Sequence, residues 1–220
     1  MKKKHIVCFG DSNTYGLIPG TTRRYNRETR WTGILSEKLY DKGYRIIEEG
    51  LCGRTSVFDD ATRDGRNGAK VLPMLLEKHT PLDQVVLMLG TNDCKIYNHA
   101  SAERIGKGIE KLIQQIKKHD PTIDILLVSP IELGEDVWKP GFDPEFDQHS
   151  VKVSKQLKQT YLKIAWKYGC DFLAASDVAK PSKADMEHMN EEGHKNLAEA
   201  IESFLVEKER NHSNDYVNVV

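Results

Sequence analysis

A serine, a histidine and an aspartate can together attack a carbonyl carbon, and this chain holds one such set at usable spacing. Ser12 stands in Gly10-Asp11-Ser12, directly after an apolar run. A serine hydroxyl is a poor nucleophile at neutral pH and needs a base. Imidazole can take that proton and later give it to a leaving group. His188 has Asp185 three residues before it, an offset from which a carboxylate can fold back on a turn and hold the imidazole tautomer. His194 and His212 have a Glu at that offset, but one falls inside a predicted helix and the other in the C-terminal tail. A developing oxyanion needs donors. Asn92, in Gly90-Thr91-Asn92-Asp93, can offer its side-chain amide, and Gly53, in Cys52-Gly53-Arg54-Thr55, a backbone N–H with no side chain in the way.

Each fragment also has a plainer reading. Gly10-Asp11-Ser12 and Gly90-Thr91-Asn92-Asp93 are turn or helix-capping sequences in their own right. A lone loop histidine is ordinarily solvated. Cys94, at the end of the second of those turns, is an alternative nucleophile. His188, Glu191, Glu192 and His194 lie close together but miss the His-Glu-x-x-His spacing that puts two metal ligands on one helix face.

The elements around these residues give the set its value. Apolar runs at His5–Phe9, Tyr44–Ile47, Gln84–Leu89, Asp124–Val128 and Asp171–Leu173 read as strands. Between them, helical spacing joins Trp31, Ile34, Leu35 and Leu39, and then Ile105, Ile109, Leu112, Ile113 and Ile116. A third face carries Val153, Leu157, Tyr161, Ile164 and Tyr168, and a last one Leu197, Ile201, Phe204 and Leu205, with Asn190 as its N-cap. Val71, Leu72, Leu75 and Leu76 suggest a short helix, in which Pro73 is tolerable only in the first turn. Strand and helix alternate, which predicts one parallel sheet with helices on both faces. Ligands in such sheets sit beyond the carboxyl ends of the strands. Ser12, Gly53 and Asn92 all emerge at that edge. Two long loops, 52–67 and 131–148, stand out as candidates for function. Trp138, Phe142 and Phe146 in the second either line a pocket or anchor the loop, and Trp31 is either a core residue or a border of the site.

The chain has 220 residues, enough for one α/β domain, here 1–210, followed by a loosely held tail at 211–220. Its formal net charge of −1 argues against a nucleic-acid surface, which needs a basic patch. The basic start, Met1 to Lys4, leads into an apolar run, Ile6 to Phe9, too short for a signal peptide or a membrane span. The expected location is the cytoplasm. Four cysteines, Cys8, Cys52, Cys94 and Cys170, are widely spread and favour neither a zinc site nor a disulfide framework.

Taken in order, Gly10-Asp11-Ser12, Gly53, Gly90-Thr91-Asn92-Asp93 and Asp185-x-x-His188 resemble the four blocks of the SGNH, or GDSL, hydrolase family. Cys8-Phe9-Gly10-Asp11-Ser12, Arg30-Trp31-Thr32-Gly33, Glu48-Glu49-Gly50-Leu51, Arg54-Thr55, Met88–Asp93 and Val128-Ser129-Pro130 are similar to its bacterial arylesterase and acyltransferase (perhydrolase) branch. The resemblance implies a flavodoxin-like three-layer α/β/α sandwich with a five-stranded parallel sheet. It implies Ser12 as nucleophile, His188 as base and Asp185 as orienter. The oxyanion hole would comprise the Ser12 and Gly53 N–H groups and the Asn92 side chain. The substrate would be a small ester, with no metal and no cofactor, and the branch often forms homo-oligomers. Some of its members deacetylate sugars or transfer acyl groups to alcohols and peroxide. Asp11, Asn13 and Leu17 would lie by the substrate pocket. Asn13 stands where the family name has Leu, which makes that pocket wall more polar. Leu17 replaces a Trp common in the branch, a less aromatic wall that argues against acyl transfer. Cys52 stands where Ser is frequent. A competing reading is a flavodoxin-like binding module without catalysis, although Asp11–Gly16 is poorer in Ser, Thr and Gly than a phosphate loop.

Overall fold

The structure is a computed structural model. It describes the backbone of residues 3–217 and the side chains of residues 3–209. The strands are β1 (Lys4–Gly10), β2 (Tyr44–Gly50), β3 (Gln84–Met88), β4 (Asp124–Ser129) and β5 (Asp171–Ala174). They form one sheet in the order β2-β1-β3-β4-β5, and every pair is parallel. The helices are α1 (Ser12–Tyr15), α2 (Trp31–Tyr40), α3 (Gly68–His79), α4 (Ala102–His119), α5 (Gln148–Tyr168) and α6 (Glu191–Val217).

Successive strand residues point to opposite faces, and the two cores divide accordingly. Val7, Phe9, Val85, Leu87, Ile125 and Leu127 pack with α3, α4 and α5. Ile6, Cys8, Val86, Met88, Leu126 and Val128 pack with α2 and α6. The central strands are therefore apolar on both sides, as parallel strands covered by helices must be. Sequence order reverses at β1, whose neighbours β2 and β3 lead their chains to opposite sides. That is the switch point where doubly wound sheets open a crevice.

Trp31 is fully buried in the core beneath α2 and does not border the crevice. Asn190 caps α6 as expected, its Oδ1 accepting from Gly193 N at 2.9 Å. Pro73 departs from expectation. The helix starts at Gly68, so the proline lies in its interior and leaves the Ala69 carbonyl without its usual i+4 donor. Gln115 of α4 supplies that donor, with Nε2 at 2.8 Å from Ala69 O. Of the tail expected at 211–220, residues 211–217 continue the α6 backbone, and 218–220 lie outside the described residues. No helix among the described residues is long and apolar enough to cross a membrane.

Candidate active site

The carboxyl end of β1 delivers Ser12. Gly10, the last strand residue, must lack a side chain, because a Cβ there would fall 2.7 Å from Met88 O and 2.0 Å from Thr14 Oγ1. This close approach lets α1 start at once. Asp11 is its N-cap, with Oδ1 accepting from Asn13 N at 2.9 Å. The Asp11 carboxyl is otherwise deeply buried, and burial pushes its pKa up to about 7.

Ser12 Oγ lies 2.8 Å from His188 Nε2, and His188 Nδ1 lies 2.8 Å from Asp185 Oδ2. The three side chains therefore form one continuous hydrogen-bonded line. With the carboxylate accepting from Nδ1–H, Nε2 keeps its lone pair for the Ser12 hydroxyl. Asp185 is held from several sides. Its Oδ1 accepts from the backbone N–H groups of Glu187 (3.1 Å) and His188 (3.0 Å), and its Oδ2 also accepts from Gly20 N at 2.8 Å. The turn that permits this places Met186 at φ 61, a left-handed conformation unusual for a side chain of its size. Gly134 braces that turn by donating its N–H to Met186 O at 2.8 Å. Burial pushes the Asp185 carboxyl upward, but its hydrogen bond and charge interaction with His188 outweigh this, and its pKa ends below the ordinary value. Burial pulls His188 down, yet Glu187 and Asp185 outweigh it, and its pKa ends above 6.5.

The loops after β2 and β3 meet Ser12 through Arg54. This nearly buried residue lays its guanidinium over the Phe9 ring and donates from Nη1 to Gly10 O at 2.9 Å and also to Glu49 O. Its own carbonyl accepts from Asn92 Nδ2 at 3.2 Å. One residue thus ties the ends of all three strands together. Asn92 Nδ2 keeps a second N–H beyond the one given to Arg54. Asp93 fixes the loop behind it, accepting from Ser56 N at 3.0 Å and from the Ser56 hydroxyl. Gly53 has φ +80, which favours glycine, and a Cβ there would come within 2.9 Å of the Arg63 guanidinium. Among the described residues, the Ser12 and Gly53 N–H groups have no backbone or side-chain acceptor.

The proposed pocket residues fare differently. Asn13 is not a polar pocket wall. It is buried, with Nδ2 at 3.4 Å from Glu187 O and Oδ1 accepting from Met189 N at 3.0 Å. It is a staple that pins the backbone on both sides of His188. Phe146 is buried in the α3/α4/α5 core and anchors its loop. Trp138 and Phe142 are half-buried, and the Trp138 indole donates to Glu135 O at 2.9 Å within the same loop. Leu17 is half-buried just after α1. Cys94 is ruled out as the nucleophile by its surroundings. It is buried, its thiol donates to Gly90 O at 3.3 Å, and burial pushes its pKa well above the ordinary value, which disfavours the thiolate. His194 is likewise buried, with Nδ1 accepting from Trp31 N at 3.3 Å, which ties it to the start of α2.

Two features of the crevice have no signal in sequence spacing. Glu187 sits between the two residues of the Asp185-x-x-His188 pair, is 7% exposed, and places Oε1 at 3.7 Å from His188 Nε2. Among the described residues none donates a hydrogen bond to this carboxylate, and burial raises its pKa. Lys95, nearly buried, is paired with Glu145 of the long second loop. Only the identity of Glu187, a charged residue where the motif leaves the position open, hinted at the first. Nothing local hinted at the second.

Comparisons with known proteins identify the family and the fold. Residues 8–195 match the model of the GDSL-like lipase/acylhydrolase family, and the chain belongs to that family. Among solved structures it is similar to an aryl esterase of M. smegmatis, at 33% identity and a TM-score of 0.86 over 93% of this chain and 99% of that one. It is similar also to a carbohydrate acetylesterase from Sinorhizobium meliloti, at 37% identity and a TM-score of 0.85 over 93% and 99%. A lipase/acylhydrolase from Enterococcus faecalis, at 19% identity and a TM-score of 0.64 over 92% and 95%, shares the fold. A search of curated proteins finds no match. The chain is a carboxylic ester hydrolase of the α/β class, with the expected five-stranded parallel sheet.

Proposed function

We propose that the chain is a serine esterase that cleaves short acyl or aryl esters, acetyl esters of sugars among them, through an acyl-enzyme. The observation that carries this reading is the unbroken line from Ser12 Oγ through the His188 ring to Asp185. Ser12 attacks the ester carbonyl while His188 Nε2 takes its proton. Asp185 keeps the ring in the tautomer that can do so and stabilises the imidazolium. The oxyanion is met by the Ser12 and Gly53 N–H groups and by the spare N–H of Asn92 Nδ2. The tetrahedral intermediate collapses, the C–O bond to the alcohol breaks, and His188 gives its proton to the departing oxygen. Water then adds to the acyl carbon by the same route, returning Ser12 and releasing the acid.

The names of the aryl esterase and the carbohydrate acetylesterase support both substrate classes. An acyltransferase would use the same acyl-enzyme and differ only in what resolves it. The expectation of a homo-oligomer is part of this proposal and is read from the solution mass by light scattering. The test of the chemistry is labelling by a fluorophosphonate probe. The native chain labels at Ser12, and Ser12→Ala, folded by circular dichroism, does not. Labelling that persists in the variant would refute the assignment. A panel of p-nitrophenyl esters and acetylated sugars then ranks the substrates.

A further inference from the structure

Glu187 is a carboxylate that the triad does not use. It lies 3.7 Å from the very nitrogen that accepts the Ser12 proton, is nine-tenths buried, and has no hydrogen-bond donor among the described residues. The charges that act on it come from His188, Lys95, Asp143 and Asp185, and Lys95 is already paired with Glu145. An acceptor so placed, and left without a protein donor, is complementary to a donor that arrives with the substrate.

We propose that Glu187 selects the molecule that resolves the acyl-enzyme, favouring one with a second O–H beside the attacking O–H. The proposal rests on the acyl-enzyme reading above. In that step the attacking oxygen bonds to the acyl carbon and its proton passes to His188 Nε2. The bond to Ser12 Oγ breaks, and Oγ recovers the proton. The attacking O–H must therefore point at Nε2, which leaves the same molecule next to Glu187 Oε1. Water has a second O–H to give that oxygen. A vicinal diol has one on the adjacent carbon. A monohydric alcohol has none, and it sets an alkyl group against a buried carboxylate that stays unpaired. By microscopic reversibility the same preference applies to the alcohol that leaves, so esters of polyols outrun those of simple alcohols.

The experiment loads the enzyme with p-nitrophenyl acetate, at a pH where carboxylates are ionised, in buffer holding ethanol and ethylene glycol at equal concentration. Product NMR gives the ratio of glycol monoacetate to ethyl acetate. In the native enzyme this ratio exceeds the value from counting hydroxyls by about tenfold, the worth of one hydrogen bond to a charged group. Glu187→Leu brings it down to the counted value. Glu187→Gln, which keeps a neutral acceptor, falls between and decides the matter if the Leu variant does not fold. A folded variant with the native ratio overturns the proposal while Ser12 labelling leaves the esterase reading intact. A native chain that turns over ester without Ser12 labelling overturns both.

Discussion

Asn13→Ala tests whether His188 is held by its neighbours' backbone as much as by Asp185. The Asn13 amide accepts from Met189 N at 3.0 Å and reaches Glu187 O at 3.4 Å, so it grips the chain one residue before and one residue after the histidine. Met189 is fully buried, so its N–H would find no water in place of the lost partner. Leaving one buried donor unpaired costs about 1–3 kcal/mol. For a chain of this size that lowers Tm by about 4–8 °C at the middle of that range. The freed segment also lets the imidazole drift from Ser12, and a displacement of about 1 Å in a reacting group can cost on the order of 100-fold in rate. The loss should fall on kcat, with KM little changed, because the ester's own contacts are untouched. Thermal unfolding by circular dichroism and steady-state hydrolysis of p-nitrophenyl acetate give both numbers. A variant that melts with the native chain and keeps its kcat would refute the staple. One that melts lower with kcat intact would refute the positioning half of the argument.

Asp185→Asn keeps an oxygen for the Glu187 and His188 N–H groups but turns an N–H toward His188 Nδ1 and Gly20 N. The ring then takes the tautomer with Nε2–H facing Ser12, and kcat should fall by about 10⁴ with the fold intact, as measured by ester hydrolysis alongside circular dichroism. A loss under about tenfold would sink the tautomer argument. His194 should make the protein acid-sensitive. Burial, helped by the positive charge on His188, pulls its pKa from 6.5 to about 3, so the ring stays neutral in the fold. Its contribution is whole above the ordinary histidine value and is lost as pH falls from 6.5 toward about 3, at up to about 1.4 kcal/mol per pH unit. Urea midpoints across that window should drop less steeply in His194→Asn, whose Oδ1 can still accept from Trp31 N. Equal slopes in the two proteins would show that other groups set the acid limit.

The sequence carries the strands well because burial on both faces leaves so little freedom: Val85 through Met88 must be apolar whichever core each residue meets. It carries the line from Ser12 to Asp185 because a strand end, a glycine and a three-residue offset are local signals. It hides whatever depends on a distant partner. Pro73 reads as a helix start until Gln115, on another helix, takes up the orphaned carbonyl. Asn13 reads as a polar wall beside Ser12, since its bonds reach Glu187 and Met189 far along the chain. Arg54 is one basic residue in a loop until its two ends are seen on Gly10 and Asn92. Phe146 offers the sequence no way to tell an anchor from a lining residue, because both need a large apolar side chain in a long loop.

Asp185 and Glu187 show how surroundings, not residue type, divide the work around one imidazole. Both carboxylates lie within reach of His188, one at each ring nitrogen. Burial pushes each of them toward the neutral form. Asp185 answers that cost with three backbone N–H groups and the His188 ring, and its pKa ends low. A group so fully satisfied cannot turn toward substrate without breaking bonds, which is what a fixed orienter requires. Glu187 has charges near it but no donor, and its pKa ends high. It gains most from a partner that comes with each turnover and leaves again. Exchanging the two acids would therefore not be neutral even at constant charge. An amide at 185 disturbs a bond that the resting enzyme already makes, whereas an amide at 187 weakens one made only while substrate is bound. Both changes should move the pH dependence of Ser12 labelling by the fluorophosphonate, because both acids hold the His188 pKa up, whereas only the second should also change which alcohols the acyl-enzyme accepts and releases.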